Sequence, residues 1–418
     1  MNAAPDPATT YGARANPDLL ARIPLDARAV LDVGCGAGAL GAAFRQRNPA
    51  TRLTGVEPDP ALRALAATHF DAVSGADIET TPPPVEPGSL DALIFGDVLE
   101  HLADPWAVLR RDRALLSDRG VLLICIPNIE HWSFTARLLR GEWRYERMGL
   151  FDETHLRWFT RDTMRRALEE AGYIPLEVAP RVFGREAAEA FAARMAPGLS
   201  ALGVDLAEWR RRAFPLQYVW RAARVRPEPL FLLGRTLDHD PDGARRRILD
   251  PFAALATQPG VGTIAGPRAR LPDGLGDTPC IVVLQGEAGD AAEIVAFRAA
   301  GAVVVRDVVD VASIPALHDV DAVQVRDEAA RDAVLRFNPN VAMFPDAWFE
   351  GEPRLADQVA GRLAWYRGLW ERRAAEPPSP APSREGRGET LLPPPSCRRH
   401  APGVTRGRVG VGGAETER

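Results

Sequence analysis

The sequence predicts an α/β fold built on a mostly parallel sheet, and three observations support this prediction. The segment Val30–Gly41, VLDVGCGAGALG, is a short apolar run that ends in a cluster of glycines and continues with a helical pattern. Further apolar runs follow at Leu53–Val56, Leu90–Phe95 and Val121–Ile126, and segments with a helical pattern separate them. Strands that alternate with helices form open parallel sheets, which bind their ligands at the carboxyl edge of the strands.

The glycine cluster after the first strand predicts a binding site for a small molecule. Gly34, Gly36 and Gly38 allow a sharp turn and a close approach of the backbone to a ligand, which a Cβ atom would block. The helix that follows, about Ala39 to Arg47, directs its free N–H groups and the positive end of its dipole to the same place. Glu57 ends the second strand about two dozen residues after the first glycine, where an acid accepts hydrogen bonds from ribose hydroxyls.

Four motifs carry a resemblance to a known family: LDVGCGAG, GVEPDP, SLDALIFGDVLEHLADP and GVLLICIPN. In order and spacing they resemble the class I S-adenosylmethionine (SAM) methyltransferases, over about residues 25–180 and as far as residue 237. The resemblance implies a Rossmann-like sheet of seven strands with helices on both faces, an enzyme that transfers a methyl group, and SAM as its cofactor. The cofactor-binding residues that it implies are Asp32, Gly34, Cys35, Gly36, Gly38, Glu57, Asp77, Gly96 and Asp97.

Other interpretations compete with two parts of this assignment. Asp77 resembles the acid on the adenine side, but it is also typical of a turn or cap residue. Within the same fold, Gly34-x-Gly36-x-x-Ala39 formally satisfies the dinucleotide fingerprint of an NAD(P)-dependent oxidoreductase. Asp32 before the first glycine, Gly38 and the DVLEHL segment favour SAM.

Histidines are the candidate catalytic residues, because an alcohol acceptor must lose its proton to a positioned base as it attacks the methyl group. His101 in DVLEH resembles a position that recurs in the family, and His155 lies in a segment expected to face the methyl group; His131 has less support from the family. Each also has a structural interpretation. His101 would bond to backbone at the start of a helix, and His155 would brace its segment through Asp152 and Arg157.

The segment from residue 129 to residue 159 is dense in aromatic residues and arginines, and is long for a connector. It resembles a methyltransferase subfamily linked to sugar and cell-surface glycan modification, particularly in GLFDETHLRWFT. The aromatic residues either form a stacking wall for a sugar ring or the hydrophobic core of a lid; they are Trp132, Trp143, Tyr145, Trp158 and Phe159. Likewise Arg144, Arg147 and Arg157 either bind an anionic acceptor or are solvated. The subfamily resemblance predicts O-methylation of a sugar or glycan, and the alternative is a SAM-binding scaffold without catalysis in a glycan assembly complex.

The remaining chain divides into four predicted parts. Residues 1–24 form an arm with a helical turn near Asp18 to Arg22, and residues 25–237 form the methyltransferase domain. This domain includes a helical insertion at residues 181–226, and Pro229–Thr236 is predicted as its seventh, antiparallel strand. Residues 240–372 form a smaller α/β unit that weakly resembles the N-terminal half of GT-B glycosyltransferases. The tail, residues 374–418, has too few large apolar residues to pack and is predicted to be disordered.

Composition restricts the partners and the compartment. The 418 residues carry a net charge of −5, all basic side chains are arginine, and nothing predicts a nucleic acid partner. The four cysteines are widely separated and form no CxxC pair, so the sequence predicts no metal site and no disulfide, and a reducing cytoplasm is expected. The apolar runs are too short to cross a bilayer. The expected partner is a small-molecule or glycan acceptor; the oligomeric state is not predicted.

Overall fold

The computed structural model describes residues 14–308, 317–345 and 354–375. The predictions for residues 1–13 and for the tail beyond residue 375 lie outside the described residues.

The first sheet has seven strands in the order β3-β2-β1-β4-β5-β7-β6. Strands β1 to β5 run parallel, and β7 is antiparallel to both of its neighbours, β5 and β6. The strands are β1 Ala29–Val33, β2 Arg52–Val56, β3 Ala72–Ser74, β4 Leu90–Gly96, β5 Leu116–Pro127, β6 Ile174–Val182 and β7 Pro215–Ala223. The predicted seven-stranded Rossmann-like sheet is confirmed.

Helices surround this sheet and join its strands. They are α1 Pro17–Leu20, α2 Ala39–Arg47, α3 Pro60–Ala66, α4 Pro105–Asp112, α5 Trp132–Leu139, α6 Arg161–Glu170, α7 Arg185–Ala201 and α8 Leu206–Ala213. A short 3₁₀ turn, Leu99–His101, follows β4. Asn16 caps α1, and the capping box of Thr160 and Thr163 fixes the start of α6, as expected for side chains that satisfy the free N–H groups of a first turn.

Alternation along β5 divides the apolar residues between two cores, one on each face of the sheet. Leu122, Ile124 and Ile126 belong to one cluster, whereas Leu123 and Cys125 belong to the other. Because both faces are covered by packed side chains, the strand is apolar at every position from Val121 to Ile126, as is typical of a central strand in a parallel sheet.

The second sheet has six strands in the order β13-β12-β11-β10-β8-β9, and every pair is parallel. Its strands are β8 Leu230–Arg235, β9 Val261–Gly266, β10 Cys280–Gln285, β11 Val303–Asp307, β12 Ala322–Val325 and β13 Val341–Met343. The associated helices are α9 Pro241–Ala244, α10 Asp250–Leu255, α11 Ala291–Ala299, α12 Glu328–Val334 and α13 Arg354–Ala375, and a π-helical turn at Arg245–Leu249 joins α9 to α10. The second α/β unit is thus present.

Two predictions about the end of the first sheet are wrong. The seventh strand is Pro215–Ala223, whereas the sequence predicts that these residues belong to the helical insertion at 181–226. Leu230–Arg235, predicted as that seventh strand, pairs in parallel with β9 and β10 in the second sheet. The change from one sheet to the other therefore falls between residues 223 and 230, before the predicted boundary at residue 237. Within the predicted helical insertion at residues 181–226, only the part that includes α7 and α8 is helical.

Among the helices of the described residues, none combines the length and the hydropathy that crossing a bilayer requires.

Candidate active site

A cavity of about 760 Å³ opens at the carboxyl edge of β1, β2 and β4. Its volume lies within the range of small-molecule sites. Its walls include the loop before α2, the ends of the three strands, the 3₁₀ turn after β4 and part of the 129–159 segment. All predicted site residues except Gly38 line it: Asp32, Gly34, Cys35, Gly36, Glu57, Asp77, Gly96, Asp97, His101 and His155.

Gly34 and Gly38 are required for different reasons. Both have a positive φ, at 70° and 88°. A Cβ on Gly34 would lie 2.4 Å from Val98 Cγ2, so this glycine lets the loop lie against the turn after β4. A Cβ on Gly38 would lie 3.1 Å from the Cα of Ala66, so Gly38 serves the packing of α2 on α3.

Glu57 orders the glycine loop. Its Oε2 accepts a hydrogen bond from the backbone N–H of Gly36 at 2.9 Å, and its Oε1 accepts one from the N–H of Asp59 at 2.9 Å. Each carboxylate oxygen has a second lone pair. The acid therefore shapes the loop and still offers acceptors to the cavity.

Asp32 is a buried carboxylate with no donor among the residues that the structure describes. Its residue is 5% exposed. Burial, and secondarily the charge of Glu57, raises the pKa of Asp32 to about 7. A cationic amino group, such as that of SAM, would supply the missing partner. The lone acid and the close backbone approach at Gly34 fit this cofactor.

Asp97 ends β4 in a strained conformation. Its φ of 56° is rare for a residue with a side chain, and such strain often marks a functional site. Gln217 Nε2 donates to Asp97 Oδ1, and Arg181 Nη1 donates to the amide oxygen of Gln217. Burial raises the pKa of Asp97, and Arg181 opposes this shift. Sequence reasoning missed Gln217 and Arg181, because only the pairing of β7 with β5 and with β6 brings them to the end of β4.

Asp77 makes a turn contact and also lines the cavity. Its Oδ1 accepts from the N–H of Glu79 at 2.8 Å, which is a turn contact, and the residue also lines the cavity. Apolar side chains lie along the same wall, including Leu62, Ile78 and Leu102. This end of the cavity suits a flat, weakly polar group.

The segment 129–159 brings His155 next to His101. The two imidazole rings meet edge to face with centroids 4.8 Å apart. The N–H groups of Leu156 and Arg157 both donate to the carbonyl oxygen of Glu100, at 2.7 and 2.9 Å, and hold the segment on the 3₁₀ turn. His131 lies elsewhere: its ring contacts Ser133 at the start of α5, and burial lowers its pKa to about 4.

Glu100 is a cavity residue that sequence reasoning missed. It is 1% exposed, and neither carboxylate oxygen has a hydrogen-bond partner among the described residues. His155 Nε2 lies 4.0 Å from Glu100 Oε1. The only signal in the sequence is an acid beside His101 in an otherwise apolar turn.

Aromatic residues of the 129–159 segment pack against one another rather than along the cavity, although Trp143 and Tyr145 stay exposed. Trp158 packs against Phe134 with ring centroids 5.4 Å apart, and Phe151 lies 4.5 Å from Phe134. Trp143 also joins this group, whereas Trp132 packs on Phe191 of α7. None of the aromatic residues proposed for sugar stacking lines the cavity; Met148, Gly149 and Leu150 do.

Comparison with known proteins identifies the first part of the chain. A family model described as a methyltransferase domain matches residues 9–178. Trans-aconitate 2-methyltransferase of Escherichia coli O139:H28 is 33% identical over 132 residues, which are 31% of this chain and 50% of that protein. Ubiquinone biosynthesis O-methyltransferase of Xanthomonas campestris pv. campestris is 31% identical over 129 residues, 29% of this chain and 53% of that protein. The chain thus spans about half the length of the curated relatives that it matches.

Among solved structures, a SAM dependent methyltransferase from Archaeoglobus fulgidus is 18% identical, with a TM-score of 0.35 over 48% of this chain and 88% of that chain. The resemblance of residues 240–372 to glycosyltransferases stays a prediction, since the matching family model ends before them. Residues 9–178, fewer than half of the chain, thus match a methyltransferase domain, and the cofactor of such methyltransferases is S-adenosylmethionine.

Proposed function

We propose that this protein transfers the methyl group of SAM to a hydroxyl oxygen of an acceptor, and that the acceptor is a sugar or glycan intermediate. The observation that carries the proposal is the single cavity in which nearly all predicted cofactor residues meet both candidate bases, His101 and His155.

The charges along the cavity support a position for the cofactor. Asp32 would accept hydrogen bonds from the amino group of SAM, and Glu57 would accept them from the ribose hydroxyls. Bound SAM supplies a methyl group on a positively charged sulfur. The acceptor oxygen attacks the methyl carbon in line and displaces the sulfur. The protein's task is then to align the acceptor with the methyl group and to exclude water.

The acceptor's proton requires a base at the other end of the cavity. The ring of His101 donates from Nδ1 to the carbonyl oxygen of Thr154 at 3.2 Å, so its Nε2 carries a free lone pair. Burial and the neighbouring His101 lower the pKa of His155, which keeps this ring neutral near pH 7. As the oxygen–carbon bond forms and the carbon–sulfur bond breaks, the hydroxyl proton passes to one of these imidazoles.

Three observations support an oxygen acceptor and an anionic glycan. One relative carries O-methyltransferase in its name. The segment GLFDETHLRWFT resembles that of glycan-modifying methyltransferases and includes Leu150 and His155, which line the cavity. Arg144 and Arg147 are exposed in the same 129–159 segment, and no described residue pairs with either guanidinium. They are available to a phosphate or uronate of the acceptor.

Turnover of methyl-labelled SAM tests the proposal. The purified protein is incubated with sugar nucleotides and with lipid-linked saccharides, and products are followed by mass spectrometry. The proposal predicts a methylated saccharide together with S-adenosylhomocysteine, and the label should resist mild alkali, because a methyl ether is stable where a methyl ester is cleaved. SAM binding without product in either fraction would favour the scaffold alternative, and an alkali-labile label would replace the hydroxyl acceptor with a carboxylate.

A further inference from the structure

The 3₁₀ turn after β4 and the 129–159 segment place three metal-ligating groups together. One ligand atom from each of Glu100, His101 and His155 lies within 4.8 Å of the other two. The three side chains face the cavity assigned to SAM and its acceptor. The grouping is not visible in the sequence, because His155 follows Glu100 by more than fifty residues.

The Glu100 carboxylate needs a positive partner that the described residues do not supply. Its side chain is 2% exposed, and both oxygens lack a hydrogen-bond donor among those residues. The charges of Asp97 and Asp152, which act on Glu100, are also negative. An unpaired charge in such a place is costly, and buried charges are ordinarily paired or bound to metal ions.

The hydrogen bonds of His101 favour the tautomer that can bind a metal ion through Nε2. Its Nδ1 lies 2.9 Å from Thr154 Oγ1 and 3.2 Å from the carbonyl oxygen of Thr154. A carbonyl oxygen only accepts, and Thr154 Oγ1 itself donates to Asp152 Oδ1 at 2.6 Å, so the ring proton resides on Nδ1. Nε2 therefore offers a lone pair. Orientation of a ligating histidine through its other nitrogen is typical of metal sites.

His155 completes the group as a second neutral imidazole. Its side chain is 5% exposed, and its Nε2 lies 4.0 Å from Glu100 Oε1. The hydrogen bonds from Leu156 and Arg157 to the carbonyl oxygen of Glu100 hold the backbone beside it in place. Tetrahedral zinc would bring its ligand atoms to about 3.3 Å from one another, so the side chains would have to close by about 1.5 Å or less.

We propose that Glu100, His101 and His155 bind one divalent transition-metal ion at the acceptor end of the cavity. Two imidazoles and one carboxylate suit zinc, cobalt or manganese better than magnesium or calcium. Three protein ligands leave a position open toward the cavity, where the ion would bind the acceptor oxygen and lower the pKa of its hydroxyl. This inference rests on the proposed function for the role of the ion, and it departs from the sequence prediction that there is no metal site. The two histidines are then ligands, and the proton of the metal-bound hydroxyl leaves to solvent.

Metal binding is measured directly on untagged, full-length protein. The protein is stripped with a chelator and dialysed against cobalt or zinc, and its metal content is determined by mass spectrometry. The proposal predicts one ion per chain, with affinity at least tenfold weaker in Glu100→Gln, His101→Ala and His155→Ala. The matched control is His239→Ala, because His239 also lies near a glutamate, Glu287 at 3.4 Å, but on the exposed surface; its binding should match the wild type.

Calorimetry of SAM binding on the same variants separates a lost ligand from a lost fold. Affinity for SAM within threefold of the wild type shows that the variants are folded. No stoichiometric ion in the wild type, or binding that is unchanged in folded variants, would overturn the metal site. Methyl transfer that persists in stripped protein would rule out a role for the ion in the reaction and leave the proposed function intact. An ion that binds to a protein without any methyl transfer would support the metal site and contradict the proposed function.

Discussion

The two sheets of this chain differ in how certain buried acids at their carboxyl edges are partnered. In the second sheet, Asp307 at the end of β11 is completely buried and accepts hydrogen bonds from Arg247 at 2.6 and 2.8 Å and from Gln324 at 2.9 Å. Tyr366 of α13 in turn donates to Gln324 at 2.8 Å. At the carboxyl edge of the first sheet, Asp32 of β1 and Glu100 of the 3₁₀ turn after β4 are almost as buried. No described residue donates a hydrogen bond to either carboxylate.

This difference separates a structural edge from a binding edge. Where the chain provides every partner, a buried acid stabilises one packing arrangement and leaves nothing for a ligand. Where partners are missing, the free energy cost of burial is offset only when a ligand arrives with the complementary charge. Two edges of similar topology can therefore be told apart by which of their buried charges are satisfied. The same chemical change at each edge tests this reasoning.

The largest effect is expected at the satisfied edge. Asp307→Asn removes the charge that balances Arg247, and a buried ion pair that loses one partner costs about 3–5 kcal/mol. Urea denaturation should show the free energy of unfolding fall by this amount. Asp332→Asn is the control, because Asp332 pairs with Arg331 on the surface, and it should change the free energy by no more than ~0.5 kcal/mol. A loss at Asp307 as small as that of the control would refute a structural role for the network.

A pH-dependent effect is expected at Asp32, whose pKa burial raises from 3.8 to about 7. A raised pKa means that the folded state holds the proton more tightly than the unfolded state, so this contribution to stability is present at low pH and is lost as pH rises through 7. Between pH 5 and pH 8 it should decline by roughly 2–3 kcal/mol in ligand-free wild type. The measurement is chemical denaturation at both values, and Asp32→Asn should remove this part of the decline, while the part that comes from Asp97, whose pKa burial also raises, should remain. Equal slopes in the two proteins would contradict the assignment.

The smallest effect on stability is expected for Glu100→Gln, which is the same charge-to-amide change as Asp307→Asn. Glu100 has no partner to lose among the described residues, so the metal-free variant should differ by at most ~1 kcal/mol, in the direction of greater stability. Urea denaturation in the presence of a chelator measures it. A loss comparable with that of Asp307→Asn would show that Glu100 is satisfied, and the contrast between the edges would fail.

The residues that the sequence predicts to bind the cofactor, apart from Gly38, lie along one cavity because their motifs are local. Gly34, Gly36 and Glu57 belong to motifs in which strand, turn and helix follow one another, and the periodicity and the glycines specify them directly.

Pairing between distant strands is not encoded in local patterns. Pro215–Ala223 contains arginine and alanine and was assigned to a helix, yet it is a strand buried between β5 and β6, where Arg221 donates to the carbonyl oxygens of Ala256 and Thr257. Leu230–Arg235 is a strand as predicted, but an apolar run does not specify which sheet it joins. For the same reason the meeting of Glu100 with His155 could not be predicted, since it depends on how the 129–159 segment folds back.

The central claim is that the glycine loop cradles SAM, and calorimetry of SAM binding tests it most directly. Gly36 has φ 54°, and Gly36→Val should abolish binding because a branched side chain would disturb both the loop and the space for the ligand. The matched control is Gly203→Val, at a positive φ of 69° in the loop between α7 and α8, with open space around the position of its Cβ. The account predicts wild-type affinity in the control and no measurable binding in Gly36→Val. Retained affinity in Gly36→Val would contradict it.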